Sequence, residues 1–307
     1  MRILDFLLDC DPAVRRQTQI YLLDEHPPYT TQGWIGEFLA RYDEEKKTWG
    51  NGIYGPKWIS TFYTMRDLRS LEIDPQHPIY QQGLQTLTDH MWNPDEFVED
   101  DICVVAMLVS LLTYGQHPEP IIDEMIHYLL AQQLPDGGWN CSAVYGHSTN
   151  SSIHTTLSVL EAYADYEKEG YGSLLPSIME QTKKGQAYLL RRNLMRREST
   201  HEIILPYITD FHFPTRWKYD VLRGLSYFAA IEHPYEPALK EGMELLKKKF
   251  ERGYLTKGPT YSGRLHFHME TARIGAMNTL RGLIVLKHYD PAFYNEIISK
   301  EIAIPLA

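Results

Sequence analysis

The stretch Gln133–Tyr163, QLPDGGWNCSAVYGHSTNSSIHTTLSVLEAY, concentrates chemistry in front of one apolar run. Cys141 and His147 lie six residues apart in it, and a thiol beside an imidazole is the pairing that acyl or thiol chemistry needs in a nucleophile and its base. Trp139 follows two glycines, as an exposed tryptophan in a turn would, and His154 stands in the first turn of the helix that begins after Ser152. A second polar stretch, Arg264–Glu270, carries His266 and His268 two residues apart. Alternation points them to opposite sides of an extended segment, as pocket-rim residues. Cys10, Cys103 and Cys141 are the cysteines of the chain. Three are too few for a disulfide framework and fit a reducing cytoplasm, where a cysteine near histidines serves as ligand or nucleophile.

The elements that position these residues are helices. Apolar segments begin near Gly55, Val98, Asn150, Pro214 and Ala276, and amphipathic partners such as Glu119–Leu134 and Glu236–Phe250 alternate with them. In the first of these partners Ile121, Met125, Ile126 and Leu129 fall on one face at helical spacing. Pro78, Pro118, Pro176, Pro214 and Pro237 stand near helix starts, and Gly115 and Gly170 near ends. No run alternates β-branched and polar residues, so the class expected is all-α. A period of roughly 45–60 residues marks a repeat of helix hairpins. Five or six hairpins whose inner helices are apolar all round can close into a double-walled α/α toroid. An open solenoid or an irregular helical domain stays open as an alternative. Residues 1–28 read as a helical brace or lid and residues 29–307 as the toroid.

Parallel inner helices gather their N-termini at one mouth. That would bring together Trp58, Ser60, Asp100, Asp101, Cys103, His154, Trp217, Tyr219, Asp220 and Asn278, with Trp139, Cys141, His147, His266 and His268 on the preceding loops. Unpaired N–H groups at helix starts suit an anion or carboxylate. Asp220 and Arg223 are three apart on one face and suit a local pair. Arg69, Arg223 and Arg281 recur at one place in the repeat, either as structural cations between loops or as positive charge for a diphosphate.

Over 307 residues the formal net charge is −10, which disfavours a sequence-independent grip on nucleic acid. The basic run Lys183–Arg197 reads as the solvated face of a helix whose apolar face is Ala187, Leu190 and Leu194. Asp5, Asp9 and Asp11 interrupt the opening segment too early for a secretory signal, and no apolar run approaches the ~20 residues that cross a bilayer. The location expected is cytoplasmic.

The motif QLPDGGWNC resembles the Q-x-x-D-G-G-W signature of the prenyltransferase and squalene-cyclase type repeat, and the repeat pattern runs from about Gly33 to Tyr289. GGWNC, PTRWKYDVLRGL and NTLRGLIVLKHY further resemble small bacterial single-domain proteins of squalene-cyclase-like or prenyltransferase-like type. The resemblance implies an α/α toroid with a central cavity and an enzyme acting on an isoprenoid or another long apolar molecule. From protein prenyltransferases it implies a zinc site of Asp101, Cys103 and His154 with an open position for a substrate thiolate, completed or altered by Cys141 or His147. Those enzymes pair the barrel with a helical subunit, so a helical partner or a homo-oligomer is a further implication. From class II terpene cyclases it implies proton donation to an alkene, with Asp100 and Asp101 as the last two acids of D-x-D-D. Val98 stands where that motif has its first acid, so the motif is incomplete. Trp58, Trp139, Trp217, Tyr219, Asp220, Arg223, His266 and His268 would then surround the ligand, the aromatic rings stabilising positive charge. A non-catalytic toroid that only binds a ligand, or serves as a scaffold, is the third reading.

Overall fold

The computed structural model describes residues 1–92 and 101–302, and within them the chain is helical, with isolated β-bridges and no strand. In chain order the helices are α1 (Ile3–Asp9), α2 (Pro12–Leu23), α3 (Gly33–Leu39), α4 (Thr61–Ser70), α5 (Pro78–Met91), α6 (Ile102–Tyr114), α7 (Glu119–Ala131), α8 (Cys141–Val144), α9 (Ile153–Lys168), α10 (Leu175–Leu190), α11 (Val221–Ala230), α12 (Lys240–Lys249), α13 (Ala276–Tyr289) and α14 (Pro291–Ser299). Among the described residues none is long and apolar enough to cross a membrane.

Two kinds of helix alternate, for the reason legible in their composition. In α6 every residue from Val104 to Thr113 is buried, so its sequence is a continuous apolar run. Its partner α7 buries only Ile122, Met125, Ile126 and Leu129, one stripe at helical spacing. The apolar helices pack in succession, α4 on α6, α6 on α9, α11 on α13, and α13 on α2. The amphipathic α5, α7, α10, α12 and α14 lie against them. α2 also reaches α4: Gln17 Nε2 donates to the Ser70 carbonyl at 3.0 Å, and Arg16 pairs with Glu72 at 2.9 Å. Ile302 N donates to the Met1 carbonyl at 2.9 Å.

Helix boundaries follow their caps. Asp11, Asp220 and Asp290 accept backbone N–H bonds in the first turns of α2, α11 and α14. Pro78 opens α5, while Pro214 stands well before α11, because Pro214–Asp220 forms an irregular loop with Arg216 in the left-handed region at φ 51°. The basic run departs from the sequence expectation in the same way. α10 stops at Leu190, Asn193 and Leu194 take positive φ, and Leu194 is buried beyond the helix end.

The loop before each of three apolar helices is docked by one device. Trp49 N donates to Thr61 Oγ1, Trp139 N to Thr156 Oγ1 and Leu255 N to Thr279 Oγ1, each at 3.0–3.1 Å. Trp139 is fully buried, its indole N–H donates to the Leu129 carbonyl at 2.8 Å, and its ring closes on Gly185 of α10. A Cβ at Gly185 would stand 2.9 Å from Trp139 Cζ3 and 3.0 Å from Leu160 Cδ2. Gly185→Ala is therefore expected to lower stability by about 1–3 kcal/mol despite the better helix propensity of alanine. Urea unfolding of the two proteins checks this, and an unchanged midpoint would show that the tryptophan shelf yields freely.

Candidate active site

The buried faces of α4, α9, α11 and α13 carry charge rather than only hydrocarbon. Arg223 of α11 forms a two-pronged pair with Glu161 of α9, at 2.9 and 2.5 Å. Arg69 of α4 pairs with Asp165 of α9 at 2.5 Å, and Arg216 reaches Asp67 of α4 at 3.3 Å. Arg281 donates to the His212 carbonyl at 3.2 Å. Burial, with the neighbouring Arg69 and Arg223 cations, pulls Arg66 down to about 10. Burial pushes Glu161 up, but Arg223, Arg66 and Arg69 together outweigh it and hold the carboxyl below its ordinary range. Arg69 and Arg223 thus tie α4 and α11 to α9, while Arg281 holds the loop carbonyl of His212. Asp220 spends its carboxylate on the backbone N–H groups of Arg223 (2.8 Å) and His212 (3.0 Å), not on the Arg223 guanidinium.

At one end of this charged core lies a cavity formed by α3, α4, the Phe213–Arg216 loop and the long segment 257–270. It offers about 60 Å³ to the centres of water-sized molecules, room for several waters at roughly 10–15 Å³ each. Phe38, Trp58 and Phe213 give it apolar walls, and Asp67, His212, Arg216, Tyr261, His266 and Glu270 give it polar ones. Several of those polar groups lack a partner. Asp67 Oδ1, His212 Nδ1, Arg216 Nε, Tyr261 Oη and Glu270 Oε2 are buried without a hydrogen bond. Such orphaned groups cost about 1–3 kcal/mol each unless water or a ligand meets them.

Glu270 is the most strongly perturbed carboxyl on this wall. Burial raises its pKa to about 7, against the bond that Oε1 accepts from Met277 N at 2.9 Å in the first turn of α13. His266 shifts the other way, down to about 4, chiefly through burial and then through Arg41. Its Nε2 is 2.9 Å from Thr64 Oγ1. Near neutral pH the cavity therefore holds a carboxylic acid that can give a proton and an imidazole that stays neutral, the divergence that acid–base chemistry uses. Arg216 lies across Trp58 at 4.5 Å from the ring centroid, and His212 stacks on Tyr261 at 4.6 Å.

Beyond Trp58 and Tyr261 the mouth is aromatic and cationic. Lys218 Nζ stands 4.0 Å over Tyr261 and 5.6 Å over Trp217, and Lys57 Nζ 6.0 Å over Trp217. His154 meets Trp217 edge-on at 5.5 Å. Its Nδ1 accepts from Tyr219 N at 2.8 Å, which places the proton on Nε2, 3.1 Å from Tyr207 Oη. Burial, then Arg223 and Lys218, lower its pKa to about 4. Cys141 Sγ accepts from Cys103 N at 3.3 Å, and Thr155 Oγ1 is 3.4 Å from Cys141 Sγ.

The sequence expectations divide on this geometry. Trp58, Trp217, His154, Cys103 and Cys141 come to the mouth, and His266 and His268 line the cavity. Asp100 lies outside the described residues. Trp139 and Tyr219 are packing residues: the phenol of Tyr219 is fully buried and donates to the Leu194 carbonyl at 2.7 Å. His147 is exposed and stacks beside Tyr145, while Cys141 finds its partners in Cys103 and Thr155, so Cys141 and His147 do not form a nucleophile–base pair here. As they stand, Asp101, Cys103 and His154 do not fit a zinc ion. Both nitrogens of His154 are taken, and among the described residues no three His, Cys, Asp or Glu side chains are grouped to hold a metal.

Asp67, His212, Arg216 and Glu270 were not singled out from sequence. The available signal was the segment Glu251–Gly275, a long stretch without regular structure between two helices, and such segments are commonly functional. Charged Arg66, Asp67 and Arg69 on an otherwise buried helix were a second signal.

No protein-family model matches the chain, and no curated protein matches it either.

Proposed function

We propose that the chain is an α/α toroid enzyme performing acid–base chemistry on a small apolar molecule that carries an oxygen function, an isoprenoid being the class favoured. α2, α4, α6, α9, α11 and α13 form the inner wall of that toroid. The carrying observation is the Glu270 carboxyl, protonated up to about pH 7 and presenting an unpartnered oxygen on an aromatic-walled cavity. An acid of that strength suits protonation of an oxygen, such as an epoxide, a carbonyl or a departing alkoxide, more than of an unactivated alkene. Glu270 gives the proton, neutral His266 accepts one, and the Tyr261 hydroxyl and Arg216 orient the ligand oxygen. Phe38, Trp58 and Phe213 exclude water and face developing positive charge with their rings. Lys57 and Lys218 at the mouth suit an acidic group on the same molecule.

The test is a panel of prenyl alcohols, aldehydes, epoxides and diphosphates, screened by thermal shift and then by product analysis with wild type and Glu270→Gln. The expected result is a ligand that stabilises both proteins and is converted only by wild type, a loss of about 10²–10⁴-fold in the variant. Conversion by Glu270→Gln at the wild-type rate, or no stabilisation by any member, would sink the reading.

A further inference from the structure

The acid–base cavity makes no use of the two sulfur atoms at the mouth. Cys103 belongs to the first turn of α6 and Cys141 opens the short helix α8 38 residues later, so the fold, not the sequence, joins them. Two polar groups converge on Cys141 Sγ: the Cys103 backbone N–H at 3.3 Å and the Thr155 hydroxyl at 3.4 Å. That arrangement stabilises negative charge on Cys141 Sγ and seats this sulfur against the backbone of Cys103. Both residues are only partly covered. We propose that Cys141 and Cys103 form a reversible redox couple, in which Cys141 is the sulfur attacked by a small hydroperoxide and Cys103 the thiol that resolves it to a disulfide.

The chemistry balances. The Cys141 thiolate attacks the outer peroxide oxygen, the O–O bond breaks, and the leaving alkoxide or hydroxide takes a proton from solvent, leaving Cys141 as a sulfenic acid. Cys103 then gives up its proton and attacks Cys141 Sγ. The S–O bond breaks, the oxygen departs as water, and an S–S bond of about 2.05 Å forms. Two thiols and one hydroperoxide give one disulfide, one alcohol or water from the peroxide, and one further water. A dithiol reductant restores the pair. Cys10 is the internal control, because burial first, and then Glu270 and Asp9, push its thiol up to about 12.

The test treats the reduced full-length protein with stoichiometric hydrogen peroxide under native conditions and maps the peptides by mass spectrometry. Expected are the loss of two hydrogens, a Cys103–Cys141 cross-linked peptide reversed by dithiothreitol, and Cys10 open to later alkylation. Cys141 should also react with iodoacetamide at least ~10-fold faster than Cys10. In Cys103→Ser a dimedone adduct should accumulate on Cys141. Oxidation of Cys10 as fast as Cys141, advance of Cys141 to sulfinic acid without the cross-link, or a cross-link seen only after denaturation would each overturn the proposal. The wild-type peptide map decides the matter even if the serine variant folds poorly.

Discussion

Glu161→Gln is expected to destabilise the protein by about 3–5 kcal/mol, and Arg223→Met by less, although the two residues form one ion pair. The asymmetry comes from what each substitution leaves behind. Without Arg223, the Glu161 carboxylate still faces Arg66 and Arg69, both of which favour its ionised form. Without Glu161, the buried guanidinium groups of Arg66, Arg69 and Arg223 repel one another, and Arg66 has already been pulled down to about 10 by burial first and then by its two arginine neighbours. Asp165 is then the near carboxylate, and it is committed to Arg69. Arg66 cannot shed its charge cheaply, since guanidinium holds its proton far above neutral pH. Equilibrium urea unfolding of both variants and of the double variant Glu161→Met/Arg223→Met checks this. The double variant should recover much of the loss, because a buried pair replaced by hydrocarbon of similar volume is often neutral. Equal costs for the two single variants would mean that Arg66 and Arg69 do not belong to the same electrostatic unit.

That network also explains which parts of the molecule the sequence could disclose. A helix buried on all sides must be apolar all round, and one buried on a stripe must be amphipathic, so α6 and α7 could be told apart before any coordinates. Helix starts were legible where a proline did the work, as at Pro78. Pro214 misled, because the residues after it turn through Arg216 at positive φ before α11 begins. Side-chain roles were harder. Trp139 and Trp217 follow similar polar loops, yet one is locked under Gly185 and the other stands at the mouth with an unpaired indole nitrogen. Burial alone separates them, and burial is a property of the assembled chain. Glu270 is the extreme case. Its residue type promises an ordinary carboxylate, and only the walls around it make it an acid near neutral pH.

Glu270→Gln should therefore change how stability depends on pH more than it changes stability itself. In wild type the folded-state pKa of Glu270 is about 7, against 4.5 for the ordinary side chain. A group raised on folding contributes fully below 4.5, and that contribution is lost as pH rises through 7, because over this window the folded protein holds a proton that the unfolded chain has released. At about 1.4 kcal/mol for each pH unit, and allowing for partial exposure, the loss is about 2–3 kcal/mol. His154 and His266 slope the other way. Both are lowered to about 4, so their contribution is present above 6.5 and disappears as pH falls through 4. They are common to wild type and variant and cancel in the difference. Glutamine keeps an oxygen for the Met277 N–H and cannot ionise, so the two proteins should be nearly equal near pH 4.5. The variant should become the more stable by about 2–3 kcal/mol near pH 8. Urea midpoints at half-unit intervals measure that difference directly. Parallel curves would show that Glu270 ionises normally, and the cavity would then lose the acid on which its proposed chemistry depends.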